Sequence, residues 1–371
     1  MGDKTIVILG GYGLAGQALA HYLLQETDAH LILAGRNEQK ATQLAADLNG
    51  RFPGQRVAAK RADAADAESL GQALQGADLA LVASSTVAYT REVAAAALAA
   101  HVDYLDILYG EGRLPILQSL AAEIDRSALC FVTEAGFHPG LPAAMVRYLG
   151  QKTDRLDQAV VATMLNQQGG LPYTSGVDEL VQEFKDYKAE VFSGGAWRNA
   201  DMTTMKDNPT MDFGPPFGRR SCTPMTLKEM YNLPRMFPTL QQLGFYVAGF
   251  NWFADWVVMP LIMVALRIAP TRSVKPMGRL LCWATRAFAS PPYGVIVRAE
   301  ARGMKDGQPV SLKLAISHAD GYALTAMPVV AYLLQYLDGS ARRPGLHLMG
   351  HLADPARLFA DMARMGATIE E

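Results

Sequence analysis

The sequence predicts an α/β protein, in which an N-terminal doubly wound parallel sheet of the Rossmann type is followed by an α+β domain with a mixed or antiparallel sheet. Strand-like and helix-like patterns alternate from Thr5 to about Val132, which is typical of a parallel sheet covered by helices on both faces. After Gly136 the pattern changes to longer strand-like segments, and two of them are joined by Asp306-Gly307, a strong hairpin signal. These observations predict two domains of different architecture.

The first predicted strand runs directly into a glycine-rich turn. The segment Thr5-Ile-Val-Ile-Leu-Gly-Gly-Tyr-Gly-Leu-Ala-Gly16 places three glycines in a G-x-G-x-x-G spacing. The first glycine of this pattern permits a tight turn, the second lets the backbone approach a pyrophosphate, and the third lets helix and strand pack closely. The helix that follows directs free N–H groups at the anion. We therefore expect a dinucleotide site formed by Gly11, Tyr12, Gly13, Leu14, Ala15 and Gly16.

The end of the second strand indicates which dinucleotide binds. In NAD-binding folds this position holds an Asp or Glu that accepts hydrogen bonds from the ribose. Here the strand His30–Ala34 is followed by Gly35, Arg36 and Asn37, with Lys40 one helical turn beyond. Without a carboxylate there is no repulsion toward a 2′-phosphate, and a guanidinium can bind that phosphate through two hydrogen bonds. The sequence thus predicts NADP(H) rather than NAD(H), the alternative being that Arg36 is a solvated residue near a helix start.

The remaining strands of the first domain place polar residues at the same sheet edge. The third strand, Arg56–Lys60, leads to Asp63, which either meets the adenine or caps the helix near Glu68. Further strands are predicted at 77–82, 104–107 and 128–132. Ligands of doubly wound sheets lie at the carboxyl ends of the strands. There we expect Ser84 and Ser85 beside the cofactor and Asp106 in the cleft.

Composition limits the possible functions. The chain has 371 residues, half of them hydrophobic, and a net charge of −2. This charge gives no field that would attract nucleic acid. Three separated cysteines without a C-x-x-C pair argue against disulfides and structural zinc, and we predict no metal site. The first strand begins at Thr5, which leaves no room for a secretion signal, so we expect a cytoplasmic protein.

The predicted domains are residues 1–135, residues 136–320, and C-terminal helices in 321–371 that pack back on the first domain. The elements predicted after Gly136 are a strand at 155–165, a helix at 175–187, a strand at 188–192, an irregular loop at 207–224 that is able to act as a lid, strands at 293–303 and 308–318, and helices at 321–337 and 354–365.

An apolar segment at residues 236–268 is the most unusual part of the second domain. Between Met236 and Leu266 only Asp255 carries a charge, yet polar residues and a proline interrupt the segment too often for a membrane span. Three interpretations remain: a buried homodimer interface, which we favour, a pocket wall for an apolar substrate, or a helix at a membrane surface. The cations just beyond, from Arg267 to Arg279, either meet lipid phosphates or form a solvated face.

Three short motifs resemble the saccharopine dehydrogenase-like family. They are Thr133-Glu-Ala-Gly-Phe-His-Pro-Gly-Leu-Pro142, Tyr104-Leu-Asp106, and Ser317-His-Ala-Asp-Gly-Tyr-Ala-Leu-Thr-Ala326 followed by Pro344-Gly345. The resemblance implies NADP-linked reduction of an imine to a secondary amine, and a second domain whose mixed sheet mediates dimers and closes over the substrate. One departure is His138, which stands where the family pattern has Asp.

Candidate catalytic residues follow from these motifs and from the predicted cleft. His138 and His318 are the candidates for proton transfer, while Asp106 and Tyr109 are placed to orient a small-molecule substrate. Three hypotheses result: an NADP(H)-dependent oxidoreductase acting on a C=N or C–N bond, a reductase of a hydrophobic carbonyl or enoyl compound, and a non-catalytic NADP-binding sensor or scaffold.

Overall fold

The computed structural model describes residues 4–110, 112–186, 189–200 and 209–371. The chain divides into two compact units, one comprising Met1–Ala144 and Tyr322–Met365 and the other Met145–Gly321 and Gly366–Glu371. The strands are β1 (Thr5–Leu9), β2 (His30–Gly35), β3 (Val57–Arg61), β4 (Leu79–Val82), β5 (Asp103–Asp106), β6 (Cys130–Thr133), β7 (Arg155–Asn166), β8 (Ala189–Ser193), β9 (Ala196–Ala200), β10 (Thr210–Asp212), β11 (Arg219–Met225), β12 (Gln242–Ala248), β13 (Gly294–Lys305), β14 (Gln308–His318), β15 (Gly345–Leu348) and β16 (Thr368–Glu370).

The α-helices are α1 (Leu14–Glu26), α2 (Glu38–Arg51), α3 (Ala67–Leu74), α4 (Thr90–Ala99), α5 (Arg113–Ser119), α6 (Ala121–Arg126), α7 (Leu141–Gln151), α8 (Ser175–Glu183), α9 (Leu233–Met236), α10 (Met259–Ile268), α11 (Val274–Ala287), α12 (Gly321–Leu337), α13 (Met349–Leu352) and α14 (Pro355–Arg364). Short 3₁₀ segments lie at Val87–Tyr89, Phe184–Asp186 and Lys228–Asn232, and a π-helical turn lies at Ala254–Val258.

The first unit is built on a seven-stranded parallel sheet with the order β15-β6-β5-β4-β1-β2-β3. Its central strands are apolar runs, and Val7, Ile8 and Leu81 are fully buried because helices cover both faces. The order 3-2-1-4-5-6 is that of a doubly wound nucleotide-binding fold, whose crevice opens between β1 and β4. This confirms the predicted fold class of the first part of the chain.

The second unit contains a mixed sheet of nine strands, with the order β10-β11-β12-β7-β13-β14-β16 and with β8 and β9 attached beside β12. β7 and β12 are parallel neighbours, whereas β13 pairs with β7 and β14 in antiparallel fashion. The turn between β13 and β14 is formed by Asp306 and Gly307, whose φ angles of 50° and 73° suit a type I′ hairpin. The mixed sheet predicted for this part of the chain is therefore present.

The prediction of an irregular loop at 207–224 is wrong for part of its length. Residues 201–208 lie outside the described residues, but β10 and β11 pair with each other, and β11 also pairs with β12. The prolines and glycines that suggested a loop are concentrated between the two strands, around Pro215-Pro216 and Gly214. The helix predicted at 175–187 is present as α8 to Glu183 and continues as the 3₁₀ segment Phe184–Asp186, while residues 187–188 lie outside the described residues.

The apolar segment 236–268 is divided among several elements rather than forming one helix. It contributes strand β12, then the π-helical turn Ala254–Val258, which leads directly into α10. No helix in the described parts of the chain has both the length and the apolar character needed to cross a membrane.

Candidate nucleotide-binding site

The carboxyl ends of the parallel strands meet at one edge of the first sheet, because parallel strands share a direction. This edge carries most of the residues predicted from the sequence. They are Gly11 to Gly16 after β1, Gly35 to Asn37 at β2, Asp63 after β3, Ser84 and Ser85 after β4, Asp106 and Tyr109 at β5, and His138 after β6.

The glycine-rich loop has the geometry that an anion site requires. Gly13 is the N-cap of α1 in extended conformation, and no side chain caps the amide groups of the first helical turn. A Cβ atom added at Gly16 would lie 2.3 Å from the carbonyl oxygen of Gly10, so only glycine allows this close packing. A Cβ atom at Gly13 would approach only that same oxygen, at 3.1 Å. The site thus fits a pyrophosphate held by the amide groups of α1.

Tyr12 links the glycine-rich loop to the end of β2. Its ring lies so close to Gly35 that a Cβ atom there would be 2.6 Å from Cε1 of Tyr12. The hydroxyl oxygen of Tyr12 accepts a hydrogen bond from the backbone N–H of Asn37 at 3.1 Å. A side chain at position 35 would therefore displace the Tyr12 ring.

Exposed polar residues follow β2. Arg36 is exposed, and Asn37 caps α2 by accepting a hydrogen bond from the backbone N–H of Lys40 at 3.0 Å. Glu38, the first residue of α2, is also exposed. The side chains of Arg36 and Lys40 supply two cations at the position where a ribose 2′-phosphate is bound in this fold.

The loops after β1 and β4 are in contact, which forms one wall of the crevice. Gly10 has a φ of 83°, and a Cβ atom there would lie 2.8 Å from the backbone of Ser84. The Ser84 hydroxyl is 3.2 Å from that of Thr86, and the Thr86 backbone N–H donates to the Ser84 carbonyl. Ser85 is exposed. The sequence prediction did not include Thr86, although the run Ser84-Ser85-Thr86 after a buried strand was available as a signal.

Asp63 does not cap α3. The cap is Asp66, whose carboxylate accepts hydrogen bonds from the backbone N–H groups of Glu68 and Ser69. Asp63 instead accepts from the backbone N–H of Ala65 at 3.2 Å, which stabilises the turn before the helix. The prediction that Asp63 caps the helix is thus wrong, and the cap lies three residues later. The sequence places two aspartates close together before this helix, and the pattern alone does not distinguish them. Contact between Asp63 and an adenine stays a prediction.

Asp106 is fully buried at the end of β5 and lies at the centre of a polar network. Its carboxylate forms an ion pair with the buried guanidinium of Arg113 and accepts hydrogen bonds from Tyr104 at 2.7 Å and Thr133 at 3.0 Å. Arg113 also donates to the carbonyl of Leu108 at 2.6 Å. Burial beside these charges raises the pKa of the Tyr104 hydroxyl. The network holds β5, β6 and the loop after β5 together, which favours a positioning role for Asp106.

Tyr109 is half-buried in that same loop. The next residue, Gly110, adjoins the 3₁₀ segment after β4, since a Cβ atom there would lie 3.2 Å from the Val87 side chain. The loops after β4 and β5 therefore form neighbouring parts of the same edge.

His138 lies in a tight loop between β6 and α7. The backbone N–H of Leu141 donates to the carbonyl of Gly136, and a Cβ atom at Gly140 would lie 2.5 Å from that carbonyl oxygen. The His138 side chain is half-buried and packs edge-on against the ring of Phe137. Burial lowers its pKa to about 4, so the imidazole is neutral at pH 7. It can exchange hydrogen bonds there but holds no charge.

Glu134 precedes this loop in a conformation that is uncommon for its type. It is buried and has a φ of 55°, in the left-handed region. Such strain concentrates at functional sites. The residue pattern gives no sign of this conformation, because a φ angle cannot be read from a sequence.

His318 belongs to the second unit, whereas His138 belongs to the first. It is half-buried at the end of β14, and its Nδ1 accepts a hydrogen bond from the backbone N–H of Asp320 at 2.9 Å. Among the described residues, no group of His, Cys, Asp and Glu side chains is arranged to hold a metal ion.

Comparison with known proteins agrees with this geometry. Residues 6–134 match the family model of the saccharopine dehydrogenase NADP binding domain. Over the whole chain, the fold is similar to that of an apo saccharopine dehydrogenase (L-Glu forming) from Saccharomyces cerevisiae, with a TM-score of 0.72, 14% identity, and coverage of 99% of both chains. A search of curated protein sequences finds no match.

Two further structures align less closely. A variant of meso-dapdh from Clostridium tetani aligns over 97% of this chain and 96% of its own, with 11% identity and a TM-score of 0.47. A myo-inositol dehydrogenase from Corynebacterium glutamicum aligns over 98% and 94%, with 12% identity and a TM-score of 0.46. The family match and the crevice geometry support a nicotinamide dinucleotide site of the oxidoreductase type. Residues 6–134 are thus similar in sequence to the NADP binding domain of saccharopine dehydrogenase, and the whole chain has a fold similar to that of the yeast enzyme.

Proposed function

We propose that the protein is an NADP(H)-dependent oxidoreductase of the saccharopine dehydrogenase-like type, which transfers hydride to or from a C=N or C–N bond of an amine or amino-acid-derived substrate. The observation that carries the proposal is the first unit itself. Its residues 6–134 match the NADP binding domain of saccharopine dehydrogenase, and its glycine-rich loop leaves the α1 amide groups uncapped by side chains.

Different residues of the chain bind different parts of the cofactor. The amide groups at Gly13 to Gly16 bind the pyrophosphate, and Arg36 with Lys40 binds the 2′-phosphate. Ser84 and Ser85, beside the glycine-rich loop, line the crevice at the switch point between β1 and β4. When bound, the nicotinamide supplies or accepts the hydride. Asp106 acts indirectly, because its buried ion pair with Arg113 fixes the loop that carries Tyr109.

Proton transfer is the step for which the residue assignment differs most from the family pattern. His138 stands where the family pattern has Asp, and its half-buried imidazole is neutral at pH 7 because desolvation lowers its pKa to about 4. We propose that it orients the substrate by hydrogen bonding as a neutral group. Glu134, buried and strained four residues earlier, and His318 of the second unit are the further candidates for holding a proton.

A second candidate function is the reduction of a hydrophobic carbonyl or enoyl compound. It is favoured by one observation, the exposed apolar face of α10 and of the π-helical turn before it in the second unit, where Trp256 and Ile268 are each 80% exposed. Exposed apolar surface of this extent marks contact with an apolar partner or ligand.

Turnover separates these functions. Purified protein and NADPH would be mixed with pairs of an amine and an oxo acid, and in parallel with long-chain enals, while NADPH oxidation is followed. The proposal predicts oxidation only when amine and oxo acid are present together, and its loss in Gly13→Ala. Oxidation with enals alone would instead establish the second candidate. Tight NADPH binding without turnover of any of these compounds would contradict both and favour a non-catalytic sensor.

A further inference from the structure

Helix α10 and the π-helical turn before it expose a face made of apolar side chains. Trp256 and Ile268 are each 80% exposed, and Trp252 is 63% exposed. The other exposed residues along this face are Val257, Pro260, Leu261 and Val264. The opposite face, with Val258, Ile262 and Leu266, is buried in the unit's own core. A helix that is apolar on all sides does not normally leave one side in water.

Helix α11 places positive charges beside this apolar face. Its exposed side carries Lys275, Arg279 and Arg286 in helical spacing, with Trp283 among them at 53% exposure. Arg267 at the end of α10 and Arg272 between the helices are exposed as well. Along residues 236–292 the only acidic side chain is Asp255. Burial raises the pKa of its carboxyl to about 6.

An aromatic cluster joins the end of α11 to the residues just before the π-helical turn, and the buried faces of α10 and α11 share one core cluster. Phe253 stacks on Phe288 with ring centroids 4.4 Å apart, and Trp252 and Trp283 each pack edge-on against these rings. The apolar face of α10 and the cationic face of α11 therefore belong to one surface, which we call the α10–α11 surface. Three of the protein's four tryptophans lie on it.

We propose that the α10–α11 surface docks the protein on an anionic lipid bilayer. Exposed tryptophans beside lysines and arginines are the composition that binds at the headgroup boundary, where the rings enter the interface and the cations meet lipid phosphates. A second copy of the chain fits this surface less well, since a twofold contact brings the same patch of cations against itself. The docking proposal rests on the residues of the α10–α11 surface and does not depend on the proposed cofactor chemistry.

Vesicle co-sedimentation tests the proposal. The full-length protein would be mixed with vesicles of phosphatidylcholine alone, and with vesicles that also contain phosphatidylserine. We expect binding to the phosphatidylserine vesicles, a blue shift of the tryptophan fluorescence on their addition, and weakening by salt. The pair Trp256→Ser and Ile268→Ser in one chain, and the pair Arg272→Glu and Lys275→Glu in another, should each reduce binding by about tenfold or more.

A matched control is available in the same unit. Arg302 and Lys305 are exposed cations on β13, so Arg302→Glu with Lys305→Glu makes the same charge change elsewhere and should leave vesicle binding unchanged. Because all the replaced side chains are exposed, every variant should keep the wild-type thermal unfolding. The proposal is overturned if the wild type stays in the supernatant with both vesicle types. It is also overturned if the control reduces binding as much as Arg272→Glu with Lys275→Glu. A dimer in sedimentation equilibrium that Trp256→Ser with Ile268→Ser dissociates, without vesicle binding, would assign the surface to a second copy.

Discussion

At the scale of single residues, Gly13 and Gly16 belong to one motif but are required for different reasons. A Cβ atom at Gly16 would collide with the loop backbone, so this glycine serves the packing of helix on strand. A Cβ atom at Gly13 would meet little protein, so this glycine leaves room for a ligand. Both roles could be predicted from the sequence, because the spacing alone specifies them.

The desolvated imidazole of His138 makes folding sensitive to pH. Its pKa is lowered to about 4 in the folded protein, while an unfolded chain titrates near 6.5. Between these values the unfolded state binds a proton that the folded state does not, so the free energy of unfolding falls as the pH falls from about 6.5 to about 4. Below about pH 4 the free energy of unfolding is lower by on the order of 3 kcal/mol than it is above pH 7.

Urea unfolding at several pH values between 7 and 4.5 checks this prediction. The unfolding free energy of His138→Asn should decrease less steeply toward low pH than that of the wild type. His101 is exposed and has a φ of 53°, which Asn tolerates, so His101→Asn should keep the wild-type slope. Equal slopes for His138→Asn and the wild type would show that His138 is not the group responsible.

At the scale of elements, runs of apolar residues predicted the positions of strands, whereas the buried polar network could not be predicted from the sequence. β1, β2 and β4 are found within two residues of their predicted positions because each is a run of buried apolar residues. β10 and β11 were not predicted, since prolines and glycines surround them. The ion pair between Asp106 and Arg113 could not be predicted either, because an arginine at a helix start is normally solvated.

This ion pair should contribute strongly to stability. Arg113→Met would leave the Asp106 carboxylate buried without its cation, which typically costs about 3–5 kcal/mol. Arg51→Ala breaks an exposed pair with Asp47 instead and should cost less than about 1 kcal/mol. Adding Asp106→Leu removes the uncompensated charge but leaves the Tyr104 and Thr133 hydroxyls without their acceptor, so the double variant should still be less stable than the wild type. Chemical denaturation measures all three variants, and a loss for Arg113→Met no larger than that for Arg51→Ala would contradict the assignment.

At the scale of the whole molecule, the sequence predicted the α/β class and the change of architecture after the first sheet. It did not predict that residues 345–348 add a seventh strand to that sheet. A four-residue strand that pairs with a partner more than 200 positions earlier leaves no periodic signal of its own. The exposure of one face of α10 could not be predicted either, because a helix that is apolar on all sides gives no sign of which side is covered.

The central claim is that the first unit binds NADP(H) through the glycine-rich loop and Arg36. The most direct test is a fluorescence titration of purified protein with NADPH and with NADH, for the wild type, Arg36→Asp and Gly13→Ala. We predict that the wild type prefers NADPH, and that Arg36→Asp weakens NADPH binding by about tenfold or more without weakening NADH binding. Gly13→Ala should weaken both cofactors while the protein stays folded. If the wild type bound neither cofactor, or if Arg36→Asp left the ratio of the two affinities unchanged, the claim would be contradicted.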